Sequence, residues 1–149
     1  MSVFETLLKR DGTLVYKTSG VSMLPMLRQN RDLVVIRAPV FRPRRYDVVL
    51  YRRGRDHVLH RIIRDRGDHY LIRGDNTYVL ERVPAEDVIG VLTAFKRDGR
   101  EHRVTDWTYI VYSRLWCASY PVRALYRAMR RRLGLLRRKL RQTKSGPSA

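Results

Sequence analysis

Tyr46-Asp-Val-Val-Leu-Tyr-Arg-Arg-Gly-Arg-Asp-His-Val-Leu-His-Arg-Ile-Ile63 is the stretch that decides the fold. Its two arms, residues 46–52 and 58–63, are rich in β-branched and aromatic residues, and Arg53-Gly-Arg-Asp between them offers a turn in which glycine takes positive φ. The stretch therefore reads as an antiparallel hairpin. Alternation along the second arm places Val58, His60 and Ile62 on one face and Leu59, Arg61 and Ile63 on the other. His60 thus projects among apolar neighbours and away from Arg61.

Working outward, similar short runs occur at Leu14-Val-Tyr, Asp32-Leu-Val-Val-Ile-Arg, His69-Tyr-Leu-Ile-Arg and Asp87-Val-Ile-Gly-Val-Leu-Thr-Ala-Phe. Further hairpin turns are predicted at Asp65-Arg-Gly-Asp and Arg97-Asp-Gly-Arg. The fold class expected is mainly β: a compact, mostly antiparallel domain over residues 1–106. It is preceded by a short helix at 3–10 that presents Phe4, Leu7 and Leu8 and stops at Asp11-Gly12. After Asp106, a predicted N-cap, Leu115, Ala118, Val122, Leu125, Met129, Leu133, Leu136 and Leu140 recur at helical spacing. A helical tail is expected over 107–143, broken or kinked at Pro121 and Gly134, with a disordered end over 144–149. Trp107, Tyr109, Tyr112, Trp116 and Tyr120 crowd its first half, the make-up of an interfacial helix.

A chain of 149 residues supports one domain with a substantial core, and 44% hydrophobic against 31% charged residues excludes wholesale disorder. No apolar run is long enough for an ordinary transmembrane span, and the first residues lack the pattern of a secretory signal. The expected location is cytoplasmic or peripheral to a membrane. Cys117 is the single cysteine, and the odd separation of His57 and His60 sends them to opposite strand faces, so neither a metal nor a cofactor is expected. The net charge of +18 is uneven: residues 107–149 hold 11 cations and no carboxylate, leaving 21 cations against 14 acids before them. Such a basic arm seeks phosphate, on an anionic membrane surface (residues 107–141) or on nucleic acid.

Chemistry concentrates at Gly20-Val-Ser-Met-Leu-Pro. Gly20 permits close backbone approach, Pro25 opens a helical turn, and the Ser22 amide, next to Met23, is placed as an oxyanion donor. Taken in order with Arg31-Asp-Leu-Val-Val-Ile, Tyr46-Asp-Val-Val-Leu-Tyr, Leu59-His-Arg-Ile-Ile, Gly74-Asp-Asn and Val88-Ile-Gly-Val, this segment resembles the signal peptidase I and LexA-type serine peptidases. The resemblance covers residues 14–95 and is nearest to the Ser-His signal peptidases of archaea and the endoplasmic reticulum. It implies a coiled β-sheet domain with Ser22 as nucleophile and His60, of His60-Arg61, as general base. It also implies a role for Asp75 of Gly-Asp-Asn and for a second acid at Glu81, where that type carries Asp.

The residues taken alone agree with a base at position 60: burial disfavours imidazolium, so a histidine on an apolar face stays neutral and able to accept a proton. Either Asp75 or Glu81 would orient it. Read without the resemblance, Glu81 is a solvated strand-edge carboxylate paired with Arg82. The expected function is a serine endopeptidase that cleaves a signal or leader peptide through an acyl-enzyme, its partner being a peptide or preprotein. Two alternatives come from other classes. One is a basic nucleic-acid-binding protein, suggested by a pI of about 11.1 but lacking any helix-turn-helix, zinc-finger or RNP-type motif. The other is an inactive peptidase-like domain that binds peptides.

Overall fold

The computed structural model describes residues 2–144, and side chains through residue 134. Helix α1 (Val3–Asp11) begins where Ser2 Oγ accepts the Glu5 N–H at 3.2 Å and ends at left-handed Gly12, whose N–H returns to Leu8 O. Eight strands follow among the described residues: β1 (Thr13–Lys17), β2 (Leu33–Arg37), β3 (Val48–Arg53), β4 (Asp56–Asp65), β5 (His69–Arg73), β6 (Glu81–Pro84), β7 (Val88–Arg97) and β8 (Arg100–Arg103). They form one antiparallel, curled half-barrel sheet in the order β1-β2-β7-β3-β4-β5-β6, with β8 paired to β7. The mainly β fold class expected from the sequence is therefore the observed one, and each of the three predicted Gly-containing turns joins a hairpin.

Strand β3 runs through the middle, and Val48, Val49, Leu50 and Tyr51 are all buried. Alternation sends Val48 and Leu50 into a core with Leu8, Leu27, Ile36 and Leu92, whereas Val49 and Tyr51 join Ile62, Tyr70 and Ile72 in a second core. Pairing of β3 with β4 sets Val49 opposite His60 and Tyr51 opposite Val58, which puts Tyr51 and His60 on the same face.

The strand β8 completes the hairpin predicted at Arg97-Asp-Gly-Arg, whereas β6 was not among the predicted runs, because Glu-Arg-Val-Pro is short and polar and carries little of the alternation that marks a strand. The helical region starts at Trp107 and is interrupted beside Pro121, as expected. It comprises α2 (Trp107–Ala118) and α3 (Tyr120–Lys144), and the first of two compact units ends at Cys117, not at Asp106. The reason lies in α2. Tyr109, Tyr112 and Trp116, spaced by three and four, turn toward the β sheet, with Tyr109 buried beside Phe95. These aromatic residues are consequently core and anchoring groups of the first unit. Asp106 precedes α2, but its carboxylate accepts the Arg103 N–H at 2.8 Å and closes the turn from β8.

Pro121 sits in the first turn of α3, where a missing N–H costs nothing, and marks the break between the helices. Helix α3 continues through Gly134 unbroken, contrary to the expected interruption. Lys144, expected to begin the disordered end, is the last residue of the helix, and residues 145–149 lie outside the described residues, as do the side chains of Leu136 and Leu140. No helix among the described residues is long and apolar enough to cross a membrane.

Because Tyr109 seals the core of the first unit, Tyr109→Ala should lower its unfolding free energy by about 3 kcal/mol in urea denaturation. A loss within experimental error would contradict the assignment of α2 to that core.

Candidate active site

Ser22 lies on the turn after β1, and the turn is held from several sides. Gly20 has φ of 87°, and a Cβ there would meet no atom within 4 Å, so the residue serves positive φ and not the close approach expected of it. Leu24 N–H donates to Val21 O at 3.2 Å and Leu27 N–H to Met23 O at 2.9 Å, while the side chains of Met23, Met26 and Leu27 are buried beneath. Asp32, fully buried, accepts from the Arg28 N–H and guanidinium and from Arg97 Nε. Burial opposes its ionisation, but these hydrogen bonds outweigh that and hold its pKa below the ordinary carboxylate range. Arg97 also donates to the carbonyls of Pro25 and Met26, so the buried acid fixes the turn that carries Ser22.

The Gly74-Asp-Asn segment after β5 completes the seat. Asn76 N–H donates to Ser22 O at 2.8 Å and its side-chain amide to Val21 O at 3.1 Å. A Cβ on Gly74 would lie 2.7 Å from Ser22 O and 3.0 Å from His60 Nε2. Close approach is thus required at Gly74, which is the point where the serine backbone and the histidine ring meet.

His60 is only 3% exposed. Its Nδ1 lies 3.2 Å from Tyr51 Oη and 3.3 Å from Glu81 Oε1, and the Tyr51 hydroxyl donates to Glu81 Oε2 at 2.9 Å. Burial is the largest influence on the ring and lowers its pKa below the ordinary 6.5, outweighing the Glu81 carboxylate, which raises it. The Tyr51 phenol is held well above its usual range, first by burial and then by its bond to Glu81, and so remains a donor. Nδ1 thus faces Tyr51 and Glu81, and Nε2 lies on the side of the ring next to Gly74.

The two candidate carboxylates are thereby distinguished. Glu81 is the one beside His60. It bonds Tyr51 and approaches Arg53 at 3.5 Å, whereas Arg82, its expected partner, approaches Asp68. Asp75 takes Arg61 Nε and Nη2, each at 2.8 Å, in a pair with side-chain exposures of 0% and 2%. The same guanidinium donates to Tyr46 O, Tyr109 Oη and Met26 Sδ, and Asp75 accepts from Tyr112 Oη and, through its carbonyl, from Trp116 Nε1.

Tyr51 is the residue that sequence reasoning missed. Counting residues back from the predicted Arg53-Gly-Arg-Asp turn would have placed it diagonal to His60 on one face. His57, by contrast, joins a separate group, with Nε2 at 3.0 Å from Ser2 Oγ and 3.4 Å from Glu5 Oε1.

Ser22, His60 and Glu81 all line a cleft of about 790 Å³. Its apolar lining includes Met23, Leu27 and Leu59, together with Phe4 and Tyr16, whose ring centroids are 5.0 Å apart. No protein-family model and no curated protein matches this chain.

Removing one partner of a buried ion pair leaves the other charge uncompensated. Asp75→Ala should therefore cost about 3 kcal/mol of stability. Glu81→Gln, at the edge of the cleft, should cost under about 1 kcal/mol. Equal losses in paired denaturation curves would refute this division of the two acids into a supporting group and a site group.

Proposed function

We propose that the protein is a serine endopeptidase of the signal-peptidase type, with Ser22 as nucleophile, His60 as general base and Glu81 as the acid that orients it. The observation that carries this reading is the setting of His60: Nδ1 is tied to Tyr51 and Glu81, Nε2 and the Ser22 carbonyl both lie against Gly74, and Ser22, His60 and Glu81 line one cleft.

The reaction is acyl transfer. Ser22 Oγ attacks a peptide carbonyl carbon as its proton passes to His60 Nε2, and Glu81 stabilises the imidazolium that forms. The negative oxygen is met by the amides of Ser22 and Met23, presented by the turn that Gly20 opens. His60 returns the proton to the amide nitrogen, the C–N bond breaks and the amine leaves. Water, deprotonated by the same histidine, then hydrolyses the Ser22 ester. Asp75 takes no part in proton transfer; through Arg61 it supports the floor of the site. The substrate class is a peptide bound in extended form, the signal or leader segment of a precursor, and the enzyme works in the cytoplasm or at a membrane surface.

Intact-mass measurement after exposure to a fluorophosphonate, which phosphonylates an activated serine with loss of fluoride, tests the assignment. The wild type should gain one adduct, Ser22→Ala none, and His60→Ala should react at least about 10²-fold more slowly. No adduct on the folded wild type would leave a peptide-binding cleft without catalysis.

The pH profile follows from the burial of His60. Neutral imidazole is the reactive form, so the rate should rise with pH through a midpoint below 6.5. Glu81 raises that midpoint, so Glu81→Gln should shift it further down while lowering the maximal rate. An unchanged midpoint in Glu81→Gln would remove Glu81 from the mechanism.

A further inference from the structure

Helix α3 belongs to the second compact unit and leaves an apolar stripe uncovered. Val122, Leu125, Met129 and Leu133 are 71%, 63%, 55% and 54% exposed, and their spacing by three and four sets them on one side of the helix with Tyr126, itself 62% exposed. Around the rest of the circumference stand Arg123, Arg127, Arg130, Arg131 and Arg132, and residues 107–149 contain no carboxylate to neutralise them.

A helix with both features calls for a partner that uses both. One that gripped nucleic acid would need the arginines but gain nothing from a stripe of Val, Leu, Met and Leu. Both features have a use at one kind of surface, an anionic lipid bilayer. There the apolar side chains enter the boundary between headgroups and acyl chains, while long arginine side chains reach up to phosphate.

We propose that α3 is a peripheral membrane anchor, seated on anionic phospholipid by the Val122–Leu133 stripe with its arginines at the headgroups. In helix α2, Tyr109, Tyr112 and Trp116 are engaged with Arg61 and Asp75, while Trp107, Val111 and Leu115, spaced by four, are exposed on another side. Attachment goes beyond the peptidase reading and does not depend on it.

Vesicle flotation of the full chain tests the anchor. Wild type should rise with phosphatidylcholine vesicles containing phosphatidylglycerol and stay behind with phosphatidylcholine alone. Salt of about 1 M should release it, because exposed charges are then screened. The double variant Leu125→Ser, Met129→Ser keeps every charge and alters only exposed positions, and should bind roughly tenfold or more weakly, with an unchanged far-ultraviolet circular dichroism spectrum. Ser22→Ala should float as wild type does, so a failed peptidase assignment leaves this result intact. Equal flotation of the double-serine variant would overturn the anchor. So would a wild type that ignores anionic vesicles, and retardation of random-sequence duplex DNA by that same protein would transfer the arginines to nucleic acid.

Discussion

The buried Arg61–Asp75 pair is the constraint on which the site depends. Taking both charges out of water is costly, and the cost is offset only because nearly every donor of Arg61 is used: two on Asp75, others on Tyr46 O, Tyr109 Oη and Met26 Sδ. Those partners come from the β5–β6 connection, the turn that carries Ser22, the segment leading into β3, and α2. One guanidinium thus ties together the segments that hold Ser22 and His60, the proposed nucleophile and base. His60 and Arg61 are adjacent on one strand, and the pleat sends them to opposite faces. The strand therefore delivers the base into the cleft with the same precision with which the ion pair fixes the floor beneath.

Above that floor, the histidine is controlled by three influences of different sign. Burial keeps the ring neutral, Glu81 favours its cation, and Tyr51 bridges the two while donating its own proton to the acid. The balance matters because a base must be neutral when it begins and must tolerate a positive charge once it has accepted a proton. A carboxylate in direct contact with a fully solvated imidazole would favour the cation too early. Here the low exposure of His60 offsets that tendency. Glu81 reaches His60 from β6, the last strand in the sheet order.

Much of this was legible in the sequence, for identifiable reasons. The β3–β4 hairpin announced itself by a Gly-containing turn between two β-branched runs, and strict alternation placed His60 on the apolar face. Ser22 was marked by its glycine and proline neighbours and by the resemblance. What the residues alone could not assign was the partner of each carboxylate. Asp75 and Glu81 are both acids in polar surroundings along the chain, and only the register of β5 with β6 decides which of them faces His60. Tyr51 looked like one more strand aromatic because its hydroxyl partner comes from a strand too short and polar to be recognised. Gly74 resembled an ordinary turn glycine, since the atoms that crowd it belong to residues distant in sequence. Tyr109, Tyr112 and Trp116 of α2 read as interfacial residues because an aromatic face has the same composition whether it meets lipid or a protein core.

The proposed mechanism requires His60 to be neutral, with its Nε2 lone pair free to accept the Ser22 proton. Nitrogen-15 NMR of the imidazole, followed across pH in the wild type, tests it most directly. The account predicts the Nδ1–H tautomer at neutral pH, titrating below 6.5. A ring that is imidazolium at pH 7, or that carries its proton on Nε2, would contradict it.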